Sequence, residues 1–382
     1  MKIVLVGEAW GRHEAQFQHP LVGPSGRELT LQLGAAGLAP YMFLSCRKCK
    51  NQTDFVTARC QHCDEYIWPN EFNLIDHWKR LRLDHQIATT NVFNEQPPSN
   101  EIGHFFGLER ETPMPAWKAS KKIGGSHVKA EKFYHIKRLY QELEDMDPNL
   151  IIALGNAACW ALLGQTKITA LRGTISRTNN ILTGLDLKVI PTFHPAAVLR
   201  QPTMRVTVLA DLNKARREAK FKETRRISRF LHVIDPTEAG LRAGYEWFQK
   251  PAIAYANDIE TIYNQISIIG FSRAPDDGLV IVFRNEDYSN YWPTAELEFQ
   301  AWKLAIHGLQ TTTPKIYQNG LFDISYLLRM GIVPKNPRHD TMLWHHSEYP
   351  ELPKSLGYLG SLYCDEISWK VLHNRGSLKR DE

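Results

Sequence analysis

Four short apolar runs, separated by stretches with helical periodicity, most strongly constrain how the first 220 residues can fold. Runs that are apolar throughout are typical of strands covered on both faces, and strands that alternate with helices form parallel sheets. The sequence therefore predicts a three-layer α/β domain built around a parallel sheet. The runs are Ile3–Val6, Gln86–Val92, Leu150–Leu154 and Leu187–Pro191, and the clearest helical stretches are Ala130–Asp145 and Asn156–Leu163.

A different pattern begins near residue 230, where strand-like runs follow one another before helices resume. Strands in series, followed by an alternation of helix and strand, predict a mixed sheet. We expect an α/β domain over 1–220 with an insert at 43–68, a linker at 221–229 and a second domain over 230–382. The runs are Phe230–Ile234, Ala252–Ile259, Gln265–Phe271, Leu279–Phe283 and Lys315–Gln318, with an amphipathic helix over Pro293–Gly308.

Length and composition favour a globular protein of two domains. The chain has 382 residues, 43% of them apolar, and a domain typically takes about 150 residues. No apolar run approaches the roughly 18–20 residues of a membrane span. The first apolar run after Met1 and Lys2 is too short for a signal peptide. We therefore expect a cytoplasmic location and no membrane partner.

The net charge of +5 is concentrated in one segment. Residues 214–229 contain eight basic and two acidic side chains. Such a segment suits contact with a polyanion, and Arg225 and Arg226 are candidates for contacting a nucleic-acid backbone. The alternative is a solvated helix face between domains. A helix over 206–223 is expected to lead into this segment.

Four cysteines form the pattern Cys46-x2-Cys49-x10-Cys60-x2-Cys63. Two close pairs separated by a short hairpin can place four thiolates around one zinc ion. An iron–sulfur cluster and unmetallated cysteines are the alternatives, and a disulfide pair is disfavoured in a cytosolic protein. We expect a zinc ribbon in which the metal supports folding or presents a loop to DNA.

Three motifs stand where strands of the first domain end, the edge at which open α/β sheets bind ligands. The first is the glycine-rich turn from Gly7 to Gly11, with Glu8 at its rim, continuing to Gly26. The second places Asn91 at a strand end, where its amide can both donate to and accept from a base edge. The third holds His194 before Pro195. Each motif alone is weak evidence, and a histidine before proline is more often structural.

Together and in this order, the motifs resemble the uracil-DNA glycosylase superfamily, most closely the family 4 type. The resemblance runs from Met1 to about Ala219 and implies a DNA glycosylase that flips a base into a pocket. It implies that Asn91 reads the base edge, that His194 stabilises charge on the leaving base, and that Glu8 orients water. The same resemblance assigns the remaining base pocket to Gly7, Ala9, Trp10, Leu21 and Phe93, and a DNA wedge to Val198, Leu199 and Arg200.

Some positions depart from the family pattern. Trp10 stands where the family usually has proline, and Leu21 stands where the family has a phenylalanine that stacks on the base. Trp10 and Phe93 are candidates to replace that platform. The family's iron–sulfur cysteine after the asparagine motif is absent, with Asn94 in its place. The excised base is therefore expected to be uracil or a modified pyrimidine.

Two carboxylates mark the second domain. Asp258 and Glu260 alternate along one strand and so point to the same face. Side by side they repel each other, and a metal ion is the natural compensation. Asp323 adds a third carboxylate at the start of a helix. The alternative is that these are polar residues at a strand end without a metal.

This set resembles the DnaQ-like (ribonuclease H-like) 3′–5′ exonuclease superfamily over roughly 229–370, and most closely its bacteriophage members. The resemblance implies two-metal phosphodiester hydrolysis with Mg²⁺ or Mn²⁺ on Asp258, Glu260 and Asp323. It also calls for a fourth carboxylate on a last helix. Tyr358 lacks the aspartate expected four residues later, so we expect the domain to be incomplete at its C-terminus.

The sequence thus predicts a phage-type fusion of a base-excising glycosylase, with an inserted zinc ribbon, and an exonuclease-like domain. DNA is the expected substrate, a replicative DNA polymerase is a candidate partner, and host cytoplasm is the expected location of a phage-encoded protein. The alternative is a non-catalytic DNA-binding or polymerase-accessory protein with degenerate sites.

Overall fold

The fold was analysed in a computed structural model, which describes residues 2–56, 59–107, 127–225 and 228–364. The chain divides into two compact units. Of the described residues, the first unit comprises those up to 224 together with 357–364, and the second comprises those from 225 to 356. None of the helices in the described ranges is both long and apolar enough to cross a membrane.

The first unit is built on a five-stranded sheet in the order β4-β1-β7-β9-β8. The four long strands are parallel, and only the short β8 is antiparallel to its neighbour. Three of these strands, β1, β4 and β9, end in or next to the three predicted motifs. The strands are β1 (Ile3–Ala9), β4 (Ile87–Phe93), β7 (Leu150–Leu154), β8 (Ser176–Arg177) and β9 (Lys188–Thr192). The unit also contains two small antiparallel pairs, β2 (Phe43–Ser45) with β3 (Gln52–Asp54) and β5 (Phe106–Gly107) with β6 (His127–Val128).

Helices cover both faces of this sheet, as predicted for a three-layer domain. One hydrophobic cluster joins β1, β4 and β7 to the ribbon and to the second, third and ninth helices. The other cluster joins the opposite face to the fourth and fifth helices. The helices are α1 (Arg12–Phe17), α2 (Pro24–Ala35), α3 (Glu71–Asp84), α4 (Phe133–Met146), α5 (Gly155–Leu163), α6 (Ile168–Leu171), α7 (Asn180–Thr183), α8 (Pro195–Arg200) and α9 (Met204–Glu218).

Helix α9 ends earlier than predicted. The expectation was a helix over 206–223, but the structure ends it at Glu218. The fully buried Lys188 donates to the carbonyl oxygens of Glu218 and Glu223, at 2.9 and 2.8 Å. A cation that binds carbonyl oxygens at a helix C-terminus favours termination there.

The second unit contains a six-stranded mixed sheet in the order β10-β13-β12-β11-β14-β15. Strands β11, β12 and β13 form an antiparallel meander, and β14 and β15 add in parallel beyond β11. The mixed sheet predicted for the second domain is thus confirmed. The strands are β10 (Phe230–Val233), β11 (Tyr255–Ile262), β12 (Gln265–Ala274), β13 (Asp277–Val282), β14 (Lys315–Tyr317) and β15 (Pro337–Asp340).

The core of the second unit lies between this sheet and two long helices, which contribute Trp247, Phe248 and Leu304 to it. Alternation along β11 buries Tyr255 and Asn257 toward this core and leaves Asp258 and Glu260 on the other face. The helices are α10 (Glu238–Gln249), α11 (Ala295–Gln310), α12 (Gly320–Arg329) and α13 (Thr341–Glu348).

The last described helix, α14 (Leu356–Tyr363), differs from expectation. The sequence assigned everything from residue 230 onward to the second domain, but the described residues 357–364 cluster with the first unit. Its Tyr358 and Ser361 bond to side chains of α9 and of the loop after α6. Such long-range packing leaves no local signal in the sequence.

Candidate functional site

The parallel sheet brings the three motifs of the first unit to one edge. In the strand register, Val6 lies opposite Thr90 on one side and Ala153 on the other, and Ala153 lies opposite Pro191. The residues that follow these positions therefore emerge together at the carboxyl ends of β1, β4, β7 and β9. Glu8, Asn91 and His194 are among them.

Gly7 makes room for the Asn91 side chain. The two residues face each other in the register of β1 and β4. A Cβ atom placed on Gly7 would lie 2.2 Å from Oδ1 of Asn91, which is far inside van der Waals contact. The buried Asn91 amide therefore occupies the space that any side chain at position 7 would fill.

Arg138 of α4 holds the backbone on which Asn91 stands. Its guanidinium donates to the carbonyl oxygens of Asn91 and Val92, the latter at 3.2 Å, and to Oγ1 of Thr90 at 3.1 Å. The Glu142 carboxylate accepts from Arg138 Nη1 and from Thr90 Oγ1, both at 2.7 Å. Sequence reasoning missed this support because α4 lies about 50 residues downstream of β4.

His194 is neutral and its tautomer is defined by its hydrogen bond. Burial lowers the pKa of His194 to about 4, and the positive charge of Arg200 acts in the same direction. Nδ1 accepts from the backbone N–H of Ala196 at 3.2 Å. In a neutral ring whose Nδ1 is an acceptor, the hydrogen is on Nε2. The other ring nitrogen, Nε2, is therefore a hydrogen-bond donor.

The pKa of Glu8, like that of His194, is affected by burial and by Arg200. Burial raises the pKa of Glu8, and the opposite charge of Arg200 lowers it in partial compensation. The charge of Arg200 thus favours the ionised form of Glu8 and the neutral form of His194. The edge of the sheet thus combines one carboxylate, one neutral imidazole and one guanidinium.

Glu14 was assigned no role from the sequence, yet it joins the two glycine-rich turns of the first motif. Its buried carboxylate accepts from the backbone N–H of Gly11 at 3.2 Å, of Val22 at 3.2 Å and of Gly23 at 3.0 Å. An acidic residue between two glycine-rich turns is the signal that could have identified it. The glycines also leave space, because a Cβ on Gly11 would lie 2.8 Å from Glu14 Oε2.

The other predicted pocket residues differ in position. Leu21 has φ of 59° and is buried in the hydrophobic core, while its carbonyl oxygen accepts from the Trp78 indole at 2.9 Å. Phe93 is fully buried and stacks on Phe105 with ring centroids 4.2 Å apart. Trp10 is partly buried, and its indole nitrogen has no hydrogen-bond partner among the described residues. Ala9 ends β1 opposite Phe93.

Helix α8 presents only part of the predicted wedge. Val198 has no exposed surface and packs in the core, whereas Leu199 is 46% exposed and Arg200 is also exposed. The structure therefore leaves Leu199 and Arg200, but not Val198, accessible to DNA.

The basic segment is less uniformly solvated than its composition suggests. Lys214 is buried and donates to three backbone carbonyl oxygens, and Lys222 pairs with Asp147. Arg225 is exposed, and Arg226 lies outside the described residues. The structure thus removes Lys214 from the set of basic side chains that could contact a polyanion.

The four cysteines of the ribbon converge on one point. Their sulfur atoms all lie within 4.8 Å of one another, with Cys46 and Cys63 3.6 Å apart and Cys49 and Cys60 3.7 Å apart. A zinc ion with Zn–S bonds of about 2.3 Å in a tetrahedron places its sulfurs about 3.8 Å apart. These distances fit one tetrahedral ion and are too long for a disulfide bond, which is about 2.05 Å.

The ribbon builds the same turn twice. Lys50 donates its N–H to the Cys46 carbonyl oxygen, and Asp64 does the same to Cys60, both at 3.0 Å. Both donors adopt left-handed backbone conformations, with φ of 62° and 57°. Each turn presents two thiols from one short loop, which explains the two-residue spacing within each cysteine pair.

The second unit gathers three carboxylates at the middle of its sheet. Asp323 is buried, and its Oδ1 accepts from the backbone N–H of Ile259 at 2.9 Å, which places it against the backbone of β11 next to Asp258. Burial raises the pKa of Asp323 to about 6, and Asp258 and Asp340 add to the effect. Burial also raises the pKa of Asp258, followed by repulsion from Glu260. The carboxylate oxygens are donors that suit Mg²⁺ or Mn²⁺.

The spacing of these carboxylates is more open than that of the cysteines. Within the described ranges, the cysteine cluster alone brings three or more ligand atoms within 4.8 Å of one another. The three carboxylates are therefore farther apart than the sulfur atoms of the ribbon. A cation bound among them would reduce their mutual repulsion.

Asp340 does not belong to the carboxylate site. Its two oxygens accept from the backbone N–H groups of Asn319, Gly320, Met342 and Leu343 at 2.8–3.3 Å. It thereby caps both α12 and α13 at their N-termini, where a negative charge is stabilised.

A groove of about 660 Å³ opens on the face of the second unit that carries Asp258. Its walls are formed by strands β10 to β14 and are largely apolar. Polar groups at one end include Asp258, Gln318 and Thr341. The groove offers room beside the carboxylates for a ligand with both apolar and polar parts.

Comparison with known proteins places the first unit in a family. The sequence matches the Uracil DNA glycosylase superfamily over residues 1–222, and the chain belongs to this superfamily. It is 27% identical over 218 residues to a type-4 uracil-DNA glycosylase of Archaeoglobus fulgidus, a match that covers 56% of this chain and 74% of that protein. The glycosylase resemblance read from the three motifs is thus confirmed.

Solved structures similar to part of this chain are nucleases. The apo form of a nuclease matches with 18% identity and a TM-score of 0.26, covering 38% of this chain and 64% of that one, somewhat less than two thirds of its length. The EXO domain of Aedes aegypti Nibbler matches with 14% identity and a TM-score of 0.30, covering 42% and 81%. The EXD2 exonuclease domain soaked in Mg and dGMP matches with 14% identity and a TM-score of 0.21, covering 40% of this chain and 79% of that one. Because these scores are low, the fold of the second unit rests on its own strand order.

The ribbon generates a direct prediction. We expect the purified chain to contain about one zinc ion per molecule, measured by plasma mass spectrometry after gel filtration. Cys49→Ser should lose the metal and lower the Tm of the first unit, because the ribbon packs its core residues Cys46, Phe55 and Cys60 into the main hydrophobic cluster. Cys364→Ser, which changes an exposed cysteine outside the ribbon, is the control and should retain zinc. Equal zinc content in both variants would contradict the assignment.

Proposed function

We propose that the first unit hydrolyses the N-glycosidic bond of uracil or a modified pyrimidine in DNA. The observation that carries this proposal is the neutral His194, whose Nδ1 accepts from a backbone amide and whose Nε2 hydrogen is therefore available as a donor. A neutral donor suits an oxygen that gains negative charge as the base leaves, because it costs no proton transfer and is already oriented.

Each neighbouring residue has a distinct task in this reaction. With the base flipped out of the duplex, the Asn91 amide pairs with its edge, while Arg138 holds the strand end in place. His194 donates from Nε2 to the base oxygen as the bond to the sugar lengthens. Glu8, when ionised, attracts the developing positive charge on the sugar and orients the attacking water. Leu199 and Arg200 occupy the gap left in the duplex.

Two positions bear on which base is excised. Leu21 is buried in the core and presents no aromatic face, so it provides little stacking area for a flipped base. Trp10 offers an indole N–H without a partner among the described residues. An unpaired buried donor is costly, and a bound acceptor would relieve that cost. We infer that Trp10 contributes both a ring and a hydrogen bond, which favours a pyrimidine with an additional acceptor group.

The glycosylase proposal is tested by paired glycine substitutions. Gly7→Ala should lower the single-turnover rate of base release about 100-fold or more, because its methyl group displaces the Asn91 amide that reads the base. Abasic product is measured by alkaline cleavage of labelled oligonucleotides that carry uracil or a series of modified pyrimidines. Gly103→Ala is the matched control, since nothing lies within 4 Å of its added Cβ, and it should behave as wild type. Base release at equal rates from both variants would exclude this pocket, and no release by wild type from any substrate would exclude the activity.

A second function is favoured by Asp258, Glu260 and Asp323. We propose that the second unit binds Mg²⁺ or Mn²⁺ and hydrolyses phosphodiester bonds from a 3′ end. The three carboxylates would hold the ions, and the ions supply activation of water and stabilisation of the leaving oxygen when bound. The groove beside Asp258 gives the terminal nucleotide a place to lie. Three such carboxylates lie among the described residues and the resemblance calls for four, so we expect one of the two ions to bind weakly.

Asp323→Asn tests the metal site in two ways. The substitution keeps the oxygen that accepts from Ile259 but removes the charge. Since the folded pKa of Asp323 is raised to about 6, its contribution to stability is present at about pH 4 and lost as the pH rises through 6. The variant should therefore melt about 2–5 °C higher than wild type at pH 8 and equally at pH 4. Mg²⁺ should raise the Tm of wild type but not of the variant, and shortening of a labelled strand should be lost.

The control for this experiment is Asp340→Asn. Asp340 caps two helices with four hydrogen bonds, so its substitution should lower the Tm while leaving the response to Mg²⁺ in place. A metal response that persists in Asp323→Asn would show that the ion binds elsewhere. If neither unit acts on DNA but the chain still binds it, the protein is an accessory DNA-binding factor.

A further inference from the structure

The segment from Gly357 to Cys364 follows the second unit in sequence but is bonded into the first. The hydroxyl groups of Tyr358 and Thr207 lie 2.6 Å apart, and both residues are buried. Ser361 is buried as well and donates to the Tyr358 carbonyl oxygen at 2.7 Å. The matched glycosylase superfamily region ends at residue 222, so this helix is an addition to it.

Two fully buried cations of the first unit depend on this helix. Arg172 has no exposed surface, and its Nη1 donates to Ser361 Oγ at 2.7 Å. Lys214 donates from Nζ to the carbonyl oxygens of Gly173, Ser361 and Cys364, at 2.7, 3.0 and 2.6 Å. Carbonyl oxygens at the end of a helix carry partial negative charge, so a cation is stabilised there.

The same cations connect to the strand that leads to His194. Arg172 donates from Nε to Asp211 Oδ2 at 3.0 Å and also pairs with Oδ1. Asp211 Oδ2 in turn accepts from Thr192 Oγ1 at 2.7 Å. Thr192 is fully buried at the end of β9, two residues before His194.

Gly173 closes this network. Its N–H donates to the Pro191 carbonyl oxygen on β9 at 2.8 Å, and its φ of 69° lies in the left-handed region. A Cβ at this position would lie 2.6 Å from Asp211 Oδ1 and 2.8 Å from the Ser361 carbonyl oxygen. The backbone of α14, the buried aspartate and the end of β9 therefore meet around one glycine.

We propose that residues 357–364 are a positioning element of the glycosylase unit, which fixes the end of β9 and hence His194 through Arg172, Asp211 and Thr192. Without this helix, Arg172 would lose a buried partner and Lys214 two of its three carbonyl oxygens. A buried cation that loses a partner is strongly destabilising. The second unit is accordingly an insertion into the glycosylase rather than an appendage to its C-terminus.

The same assignment bears on the missing fourth carboxylate of the second unit. The exonuclease resemblance calls for a tyrosine and an aspartate on a last helix, and Tyr358 is the tyrosine at that place in the sequence. Its hydroxyl is bonded to Thr207 of the first unit. The described helix that follows the second unit thus serves the glycosylase instead of completing the carboxylate site.

The proposal is tested in the full-length chain with the double substitution Tyr358→Phe/Ser361→Ala, which removes two hydroxyl groups and keeps the backbone and the ring. Hydrogen–deuterium exchange followed by mass spectrometry should show exchange about tenfold faster in peptides covering 168–174 and 188–194, as expected for a lost buried hydrogen bond. Peptides covering 255–271 in the second unit should be unchanged. Ser325→Ala, a serine of α12 that bonds to its own helix, is the matched control and should leave 168–194 unchanged.

Kinetics provide a second readout, which rests on the proposed glycosylase function. A displaced His194 should lower kcat for base release about tenfold with KM within about twofold, because the histidine acts in the transition state. If the double variant does not fold, Thr192→Val is the alternative, because it breaks only the bond to Asp211. It should also lower kcat about tenfold with KM within about twofold. Faster exchange only in the second unit, or in neither unit, would overturn the proposal even if wild type has no glycosylase activity.

Discussion

The glycosylase site depends on one close approach between neighbouring parallel strands. Gly7 and Asn91 face each other at the carboxyl ends of β1 and β4, and the missing side chain of Gly7 is what allows the Asn91 amide into the space between them. Parallel strands end at a common edge, so fixing this pair also fixes where Glu8 and His194 stand. Two further side chains bind the backbone of that edge. Arg138 donates to the carbonyl oxygens of Asn91 and Val92, and Glu14 accepts from the N–H groups of both glycine-rich turns.

Buried charges behave differently in the two units, and the contrast separates structural from functional groups. In the first unit, Arg172, Asp211 and Lys214 are each met by several partners, so their charges are compensated within the protein. In the second unit, burial raises the pKa of Asp258 and of Asp323, and the charge of Glu260 on the first and of Asp258 on the second acts in the same direction. Burial raises the pKa of Asp211 as well, so the contrast between the units lies in the cationic partners rather than in the direction of the shift. Carboxylates on one face are what a cation site requires, whereas the satisfied network around Arg172 serves to hold the fold.

Local patterns predicted the elements and the chemistry-bearing motifs well. The strands of both units lie within a few residues of their expected positions, since apolar runs and turn residues are local signals. The cysteine spacing correctly indicated a four-sulfur cluster, and alternation placed Asp258 and Glu260 on one face. What failed was non-local: Val198 proved to be core, Lys214 proved to be buried, and α14 returned to the first unit. Lys214 and α14 have bonding partners 41 and 189 residues away in the sequence, and Val198 packs into a core formed by many elements.

The central claim is that the first unit works with a neutral His194 and an ionised Glu8, and the pH dependence of base release under single-turnover conditions tests it most directly. Burial raises the pKa of Glu8 above 4.5 and lowers that of His194 to about 4. The rate should therefore fall, and never rise, as the pH is lowered, because Glu8 is protonated first and His194 is protonated near pH 4. A rate that increases as the pH falls through 6.5 would show that the imidazolium is the active form and would contradict the account.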